Sequence, residues 1–274
     1  MAGLTRAVSG IGDLKISQNR SDASHAQTAM DRLIYTAMTG ASAAQHRQQV
    51  LSNNLANLST PGFRAELSAF RAVPVRGDGA STRVFAIEAT AGHSDLPGSV
   101  TATGRNLDVA AQGGAWFAVQ ALDGTEAYTR AGSMQINTEG TLVGANGLPM
   151  LGDGGPITIP ANARVDIAAD GTVSARVGNE PAQAVGRLKM VEPDADNPLR
   201  RGDDGLFRGP GGDPLPASET ARLQDGALEG SNVNPISAMV DMIAVARQFE
   251  VQMRMLQNGE TNDRTAAQLL NING

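Results

Sequence analysis

A chain of 274 residues with 41% hydrophobic content is long enough for one large domain or two smaller ones and apolar enough for a packed core. Aromatics are only 3% and glycines number 32, so the chain is rich in turns and poor in large core anchors. A net charge of −6 argues against sequence-independent nucleic-acid binding, and the lack of cysteine removes disulfides, thiolate catalysis and cysteine metal sites together.

Residues 1–29 are polar and weakly periodic and read as a loose extension. They hold no apolar core of the kind a secretory signal needs, and nowhere does a run of 18 apolar residues span a membrane. Met30 opens a helical pattern. Ile34, Ala37, Ala41, Ala44, Gln48, Leu51, Leu55 and Leu58 step by three and four, a coiled-coil-like seam with one polar member. A continuous helix from Met30 to Leu58 is roughly 43 Å long, weakened at Gly40 by about 1 kcal/mol relative to alanine. Ser59-Thr60-Pro61-Gly62 ends it, because the residue before proline leaves the helical region.

The middle reads as β-structure. Leu107-Asp108-Val109-Ala110, Trp116–Gln120, Ile157-Thr158-Ile159 and Val165-Asp166-Ile167 are short strand candidates. Asp123-Gly124, Glu139-Gly140, Asn146-Gly147 and Asp170-Gly171 punctuate them at turn positions. Asp194 to Gly212 is loop-like. The segment 76–225 carries 12 basic against 19 acidic residues, so it is an acidic, solvated body. A second helix starts after Asn234-Pro235, with proline favoured in the first turn. Its seam runs through Met239, Met242, Ala246, Phe249, Met253 and Leu256, and a break or a frayed end is expected near Gly259. Two amphipathic helices at opposite ends cannot bury their stripes alone. They pack on each other, on the middle of the chain, or on neighbouring subunits.

Catalytic and metal chemistry leave little trace. His25, His46 and His93 have no metal-ligand spacing, so a zinc or iron site is not expected. His93-Ser94-Asp95 contains the residue types of a hydrolase triad, but adjacent residues cannot form its hydrogen-bond chain, and a turn is the better reading. Gly152-Asp153-Gly154-Gly155-Pro156 precedes no helix and reads as a β-turn rather than an anion cradle. Arg76-Gly77-Asp78 and Arg201-Gly202-Asp203 spell an adhesion tripeptide that arises by chance in such loops. The methionines Met239, Met242, Met253 and Met255 could suit an adaptable groove, but ordinary core or subunit packing is the better reading.

Four ordered segments carry a resemblance. SNNLANLSTPGFRA at Ser52–Ala65 and LEGSNVNPISAMVDMIAVARQFE at Leu228–Glu250 resemble the terminal signatures of the bacterial flagellar rod and hook proteins. GRNLDVAAQGGAWFAVQ at Gly104–Gln120 and YTRAGSMQINTEGTLVGANGLPMLG at Tyr128–Gly152 resemble their middle segments. MDRLIYTAMTGA at Met30–Ala41 and AFRAVPV at Ala69–Val75 look most like the proximal-rod members, with distal-rod or other hook-family axial proteins next. Members of the family begin near Met30, so residues 1–29 are a departure.

The resemblance implies an α+β fold, a discontinuous helical, coiled-coil-like domain made from both termini with a β-rich domain inserted. In this chain that gives 30–75 and 226–274 as the helical assembly domain and 76–225 as the β-rich middle. It implies a structural subunit with no catalysis and no cofactor. It also implies export in the unfolded state by the flagellar type III apparatus, homo- and hetero-oligomeric packing with other rod subunits, and a place in the basal-body rod that crosses the periplasm. Ile34, Ala41, Leu51, Leu55, Met242, Phe249, Met253 and Leu256 then carry the assembly packing, alongside or in place of core packing within one subunit. Asn53, Asn54 and Asn57 cluster at a helix end, where amides bond neighbouring backbone for docking or capping. An enzyme or an adhesin on a β scaffold is the remote alternative.

Overall fold

The computed structural model describes residues 34–74, 84–194 and 197–272. The expectations for 1–29, for the helix start at Met30, for His25 and for Arg76-Gly77-Asp78 lie outside these residues. Helices near both ends with many short strands between them make the chain α+β. The described residues fall into two compact units. One comprises those within Met1–Val50, Ala69–Ala89 and Val240–Gly274, the other those within Leu51–Ser68 and Thr90–Met239. The β-rich unit thus takes in 51–68 and 226–239, segments that the sequence pattern groups with the helical ends.

Helix α1 runs over 34–56 and α2 over Pro235–Ile272, and the helical unit holds 34–50 of the first and 240–272 of the second. On α1 the small residues Ala37, Ala41, Ala43 and Ala44 are buried with Val50. On α2 the buried and half-buried positions among the described side chains are Ala238, Met242, Val245, Ala246, Phe249, Gln252, Leu256 and Gly259, a face spaced mostly by threes and fours. A Cβ added at Gly40 would stand 2.9 Å from Gln252 Cδ, so glycine there permits a close approach of α1 to a side chain of α2. The expected break near Gly259 is absent: α2 runs through it to Ile272, with Gly259 itself buried. Asn234 caps α2, its Oδ1 accepting from the N–H groups of Ile236 (3.0 Å) and Ser237 (3.2 Å).

The β unit is a stack of small antiparallel sheets. The largest has the strand order Met190–Val191, Trp116–Gln120, Glu126–Thr129, Phe207–Arg208, Arg200–Arg201. A three-stranded sheet follows from Ala163–Ile167, Thr172–Val177 and Gln183–Arg187. Two long-range pairs tie the late chain to the middle: Leu223–Asp225 on Val109–Ala111, and Ala227–Glu229 on Val100–Ala102. The strand Trp116–Gln120 is buried on both faces. Phe117 and Val119 enter one core with Met134, Leu142, Met150, Val173, Leu188 and Leu223. Trp116 and Ala118 enter a second with Tyr128, Val191, Leu199, Phe207 and Leu215. Period-two alternation therefore places successive residues in two different cores. Each fully buried large side chain contributes roughly 1.5–3 kcal/mol.

The four turn glycines expected from sequence all sit at positive φ: Gly124 (82°), Gly140 (80°), Gly147 (79°) and Gly171 (86°). The residue before three of them accepts the turn's N–H groups through its side chain, as Asp170 Oδ1 does from Thr172 N at 3.0 Å. Two strand expectations need correction. Leu107 and Asp108 lie ahead of the strand, which starts at Val109. Ile157-Thr158-Ile159 forms no strand, only an isolated bridge from Thr158 to Thr141, although Ile157 and Ile159 are buried in the first core. Apolar alternation there reports burial without a ladder.

Candidate functional site

The segments that carry the family resemblance meet at one buried charge cluster in the β unit. Arg64 follows the helix-ending turn of α1, Arg130 follows the strand Glu126–Thr129, and Glu229 closes the strand Ala227–Glu229. The Arg64 Nη1 to Glu229 Oε1 distance is 2.7 Å, and Arg130 Nη2 stands 2.6 Å from Glu229 Oε2. Arg130 Nε also donates to Oε2 at 2.8 Å, and the Gly98 N–H donates to Oε1 at 2.9 Å. Arg130 spends its remaining donors on the carbonyls of Ala111 and Gly113, both at 3.1 Å, and of Ala115. Both guanidinium groups lie near the Trp116 ring, 5.8 and 5.9 Å from its centroid. All three charged side chains are 3% exposed or less.

Two arginines against one glutamate leave a net positive charge in a dry place. Burial pulls the Arg130 guanidinium below its ordinary value, Glu229 opposes that, and the like charge of Arg64 adds to it. Such a cluster persists because its hydrogen bonds are made; removing one member strands the others. Gly62 closes the junction. Its N–H donates to the Glu229 carbonyl at 2.8 Å, its φ is +69°, and a Cβ there would fall 2.3 Å from the Arg130 carbonyl carbon. The arrangement positions backbone segments. Its chemistry is structural.

Amides fasten the same region. Asn54, buried near the end of α1, pairs with the backbone of Glu66 as a strand neighbour would: Nδ2 donates to its carbonyl and Oδ1 accepts from its N–H, both at 2.9 Å. Asn232 Oδ1 accepts from Ala65 N at 2.6 Å, while its Nδ2 donates to the carbonyls of Ser94 (3.0 Å) and Leu96 (2.8 Å). Asn57 Nδ2 caps α1 by donating to the Asn53 carbonyl at 2.9 Å, and Asn53 itself is exposed. Sequence reasoning singled out Asn54 and Asn57 and missed Arg64, Arg130, Glu229 and Asn232. The available signal was a charge inside each resemblance-bearing segment, since a buried charge needs a partner of opposite sign.

The seam residues divide. Ala41 is buried, and Ile34, Leu51, Leu55, Met242, Phe249 and Leu256 are half-buried. Met253 is exposed, and Met239 is 51% exposed. The buried line of α2 passes through Ala238 and Gln252 in place of Met239 and Met253, while Val245 is buried beside the half-buried Ala246. The apolar arc of α2 is wide, and the small and polar residues on its buried side give no hydrophobic signal. A second stripe, Ile236, Val240, Ile243, Val251 and Met255, stays exposed, as do Tyr35 and Met38 on α1.

Beside the charge cluster, within the β unit, lies a cleft of about 1360 Å³ whose lining includes Arg64, His93, Trp116, Arg130, Arg201 and Asp203. His93 packs edge-on against Phe207 (4.6 Å) and Trp116 (6.0 Å), with Nε2 3.0 Å from Asp95 Oδ1. Burial lowers its pKa, and Asp95 opposes the shift. The expected turn is not found: His93 ends the strand Val84–His93, and the backbone of Ser94 bonds the distant Ala65 and Asn232. Among the described residues no group of three His, Asp or Glu side chains is placed to hold a metal ion, and no helix is long and apolar enough to cross a membrane.

Comparison with known proteins matches the same segments. Residues 34–64 match the family model described as flagella basal body rod protein, 110–175 the flagellar hook protein FlgE/F/G D1 domain, and 224–269 the flagellar basal body rod FlgEFG protein C-terminal. The chain is 47% identical over 252 residues to flagellar basal-body rod protein FlgF of Salmonella typhimurium, covering 89% of this chain and 100% of the relative. The FlgF of Escherichia coli gives the same identity and coverage. The FlgG of Agrobacterium fabrum is 27% identical, with 84% of this chain and 95% of the relative covered.

Proposed function

The chain belongs to the FlgF family of flagellar basal-body rod proteins, and we propose that it joins the rod through its two terminal helices. It is a structural subunit of the flagellar basal-body rod and not an enzyme. The observation that carries the helix proposal is the exposed apolar stripe of α2. Ile236, Val240, Ile243, Val251 and Met255 are between 47% and 75% exposed on a helix of 38 residues. Exposed apolar residues repeated on one side of a helix mark a protein contact, and on α2, about 57 Å long, they run from Ile236 to Met255 with the exposed Arg247 among them. The half-buried seam of Met242, Phe249 and Leu256 faces the other way and supports pairing of α2 with α1, where Gly40 approaches Gln252. Ile34 and Ala41 are the matching positions on α1 within the same unit, and Leu51 and Leu55 continue the α1 seam beyond it.

The placement follows the same reading. Higher identity to FlgF than to FlgG favours the proximal over the distal rod. Neighbours are other rod subunits, in both homo- and hetero-oligomeric contacts, in a rod that crosses the periplasm. The chain reaches that rod unfolded through the type III export apparatus, which a sequence without cysteine suits because no disulfide blocks threading. The test is Phe249→Asp, produced in cells that lack the native protein. A carboxylate on the α2 seam costs several kcal/mol to desolvate unless it protonates. The variant is expected in the culture medium of cells that cannot swim, with the circular dichroism of its strands unchanged. Normal motility overturns the helix assembly reading.

A further inference from the structure

Residues 222–232 bind the β unit back onto its earlier segments. Leu223–Asp225 pairs with Val109–Ala111, and Ala227–Glu229 with Val100–Ala102. Each pair is a sheet of two strands, so among the described residues neither earlier strand has another partner in its sheet. The bonding continues past the strand ends. The Gln112 N–H donates to the Arg222 carbonyl at 2.9 Å, and those of Thr103 and Gly104 donate to the Gly226 carbonyl at 2.7 and 3.0 Å. The Gly230 N–H donates to the Ser99 carbonyl at 2.8 Å. Asn232 completes the series by holding Ala65, Ser94 and Leu96. The fit is close: the Gly230 carbonyl oxygen leaves no room for a Cβ on Gly98.

Without this segment, charges and backbone groups go unmet. Glu229 is the one carboxylate paired with Arg64 and Arg130 among the described residues, and both guanidinium groups are 3% exposed or less. Its absence leaves two buried cations with no counter-charge. Val109, Ala110 and Ala111 are all buried, and their ladder groups would lie away from water with nothing to bond. Leu223, buried in the first core, would be missing from it. The net stability of a domain is a small difference between large terms, and losses of this kind together exceed it.

We propose that residues 222–232 are the closing strap of the β unit, which does not fold until they are in place. Long-range side-chain links to the strap span from 99 residues, Arg130 to Glu229, to 167, Ala65 to Asn232. Contacts this distant in sequence make folding slow, because the chain is ordered before they repay it. Synthesis runs from the N-terminus, so a chain that still lacks the strap stays open. On the export reading above, that keeps the chain in the form that threads. The strap itself rests only on contacts within the β unit.

The experiment is pulse-labelled hydrogen exchange while the complete, denatured chain refolds. Ala118 and Gln120 report the middle of the unit, where their N–H groups donate to the carbonyls of Lys189 (3.0 Å) and Pro149 (2.9 Å); Thr103 and Gly104 report the strap. Ala118 and Gln120 are expected to gain protection no sooner than Thr103 and Gly104, to within about twofold in rate, as for one cooperative unit. A lead beyond that means the unit closes without the strap and overturns the proposal. A proline in the strap gives a second measurement. Gln224 and Ala184 are both exposed strand residues, so Gln224→Pro and Ala184→Pro each disturb a ladder without removing core. Trp116, the only tryptophan, lies in the second core, which contains no strap residue. The denaturant midpoint read by its emission is expected to fall further in Gln224→Pro than in Ala184→Pro. An equal or smaller fall, or none, overturns the strap. Neither readout involves motility or secretion, so failure here leaves the rod and export readings standing.

Discussion

The β unit and the long helix α2 treat apolar surface in opposite ways. The β unit encloses Phe117, Met134, Leu142, Val173 and Leu223 in one core and Trp116, Tyr128 and Phe207 in another, and seals their junction with Arg64, Arg130 and Glu229. The helix leaves Ile236, Val240, Ile243, Val251 and Met255 in water. The first region satisfies its own needs within one chain. The second is an unfinished surface that a neighbour completes, as a rod subunit requires. Buried charge serves the first by locking distant segments, and exposed apolar area serves the second by driving association.

Several substitutions sharpen that contrast. Glu229→Gln strands two buried guanidinium groups and is expected to cost roughly 3–5 kcal/mol, a fall in the melting temperature of the β unit on the order of 10 °C. Calorimetry of the purified chain measures it; a change under about 1 kcal/mol would mean that the cluster is solvated and does not lock the unit. Asn54→Ala removes two hydrogen bonds to the Glu66 backbone, an expected loss of about 2 kcal/mol by denaturant titration. A neutral result would show that this clamp contributes nothing to the self-sufficiency of the β unit.

The smallest effect is a pH dependence from His93. Burial places its folded pKa below 6.5, so its contribution to stability is fully present above that value and is lost as pH falls from there through the folded pKa. The melting temperature is expected to drop modestly between pH 7.5 and pH 5 and to lose that drop in His93→Phe. The carboxylates of Asp123, Asp170 and Asp204, lowered by hydrogen bonds from Thr125, Thr172 and Arg208, lose their contribution only as pH falls below the usual 3.8, a separate window. A slope retained in His93→Phe would assign the effect elsewhere.

Local rules made part of this molecule legible. Trp116–Gln120 declares itself by aromatic and β-branched alternation, the turns by Asp-Gly and Asn-Gly, and the start of α2 by Asn234-Pro235, because each depends on residues within a few positions. The register of the α2 seam was less legible. Met239 and Met253 are as apolar as their neighbours, while the buried line uses Ala238, Gln252 and Gly259, whose placement depends on close approach and not on hydrophobicity. The charge cluster was illegible to pattern because Arg130 and Glu229 are 99 residues apart. Only the resemblance placed their segments in one family, and only the fold placed them in one site.

The central claim is that the α2 stripe is covered by a neighbour once the subunit is in the rod. The chain has no cysteine, so a single Val251→Cys substitution offers a unique thiol on the stripe, and Leu122→Cys, at a position 97% exposed on the β unit, offers a control. Maleimide labelling of the free subunit and of assembled basal bodies reads the difference. Both thiols are expected to react in the free chain, and in the rod the thiol at 251 is expected to be protected at least tenfold more than in the free chain, a change of about 1.4 kcal/mol or more in accessibility. Equal reactivity of the thiol at 251 in the free and assembled states would contradict the account.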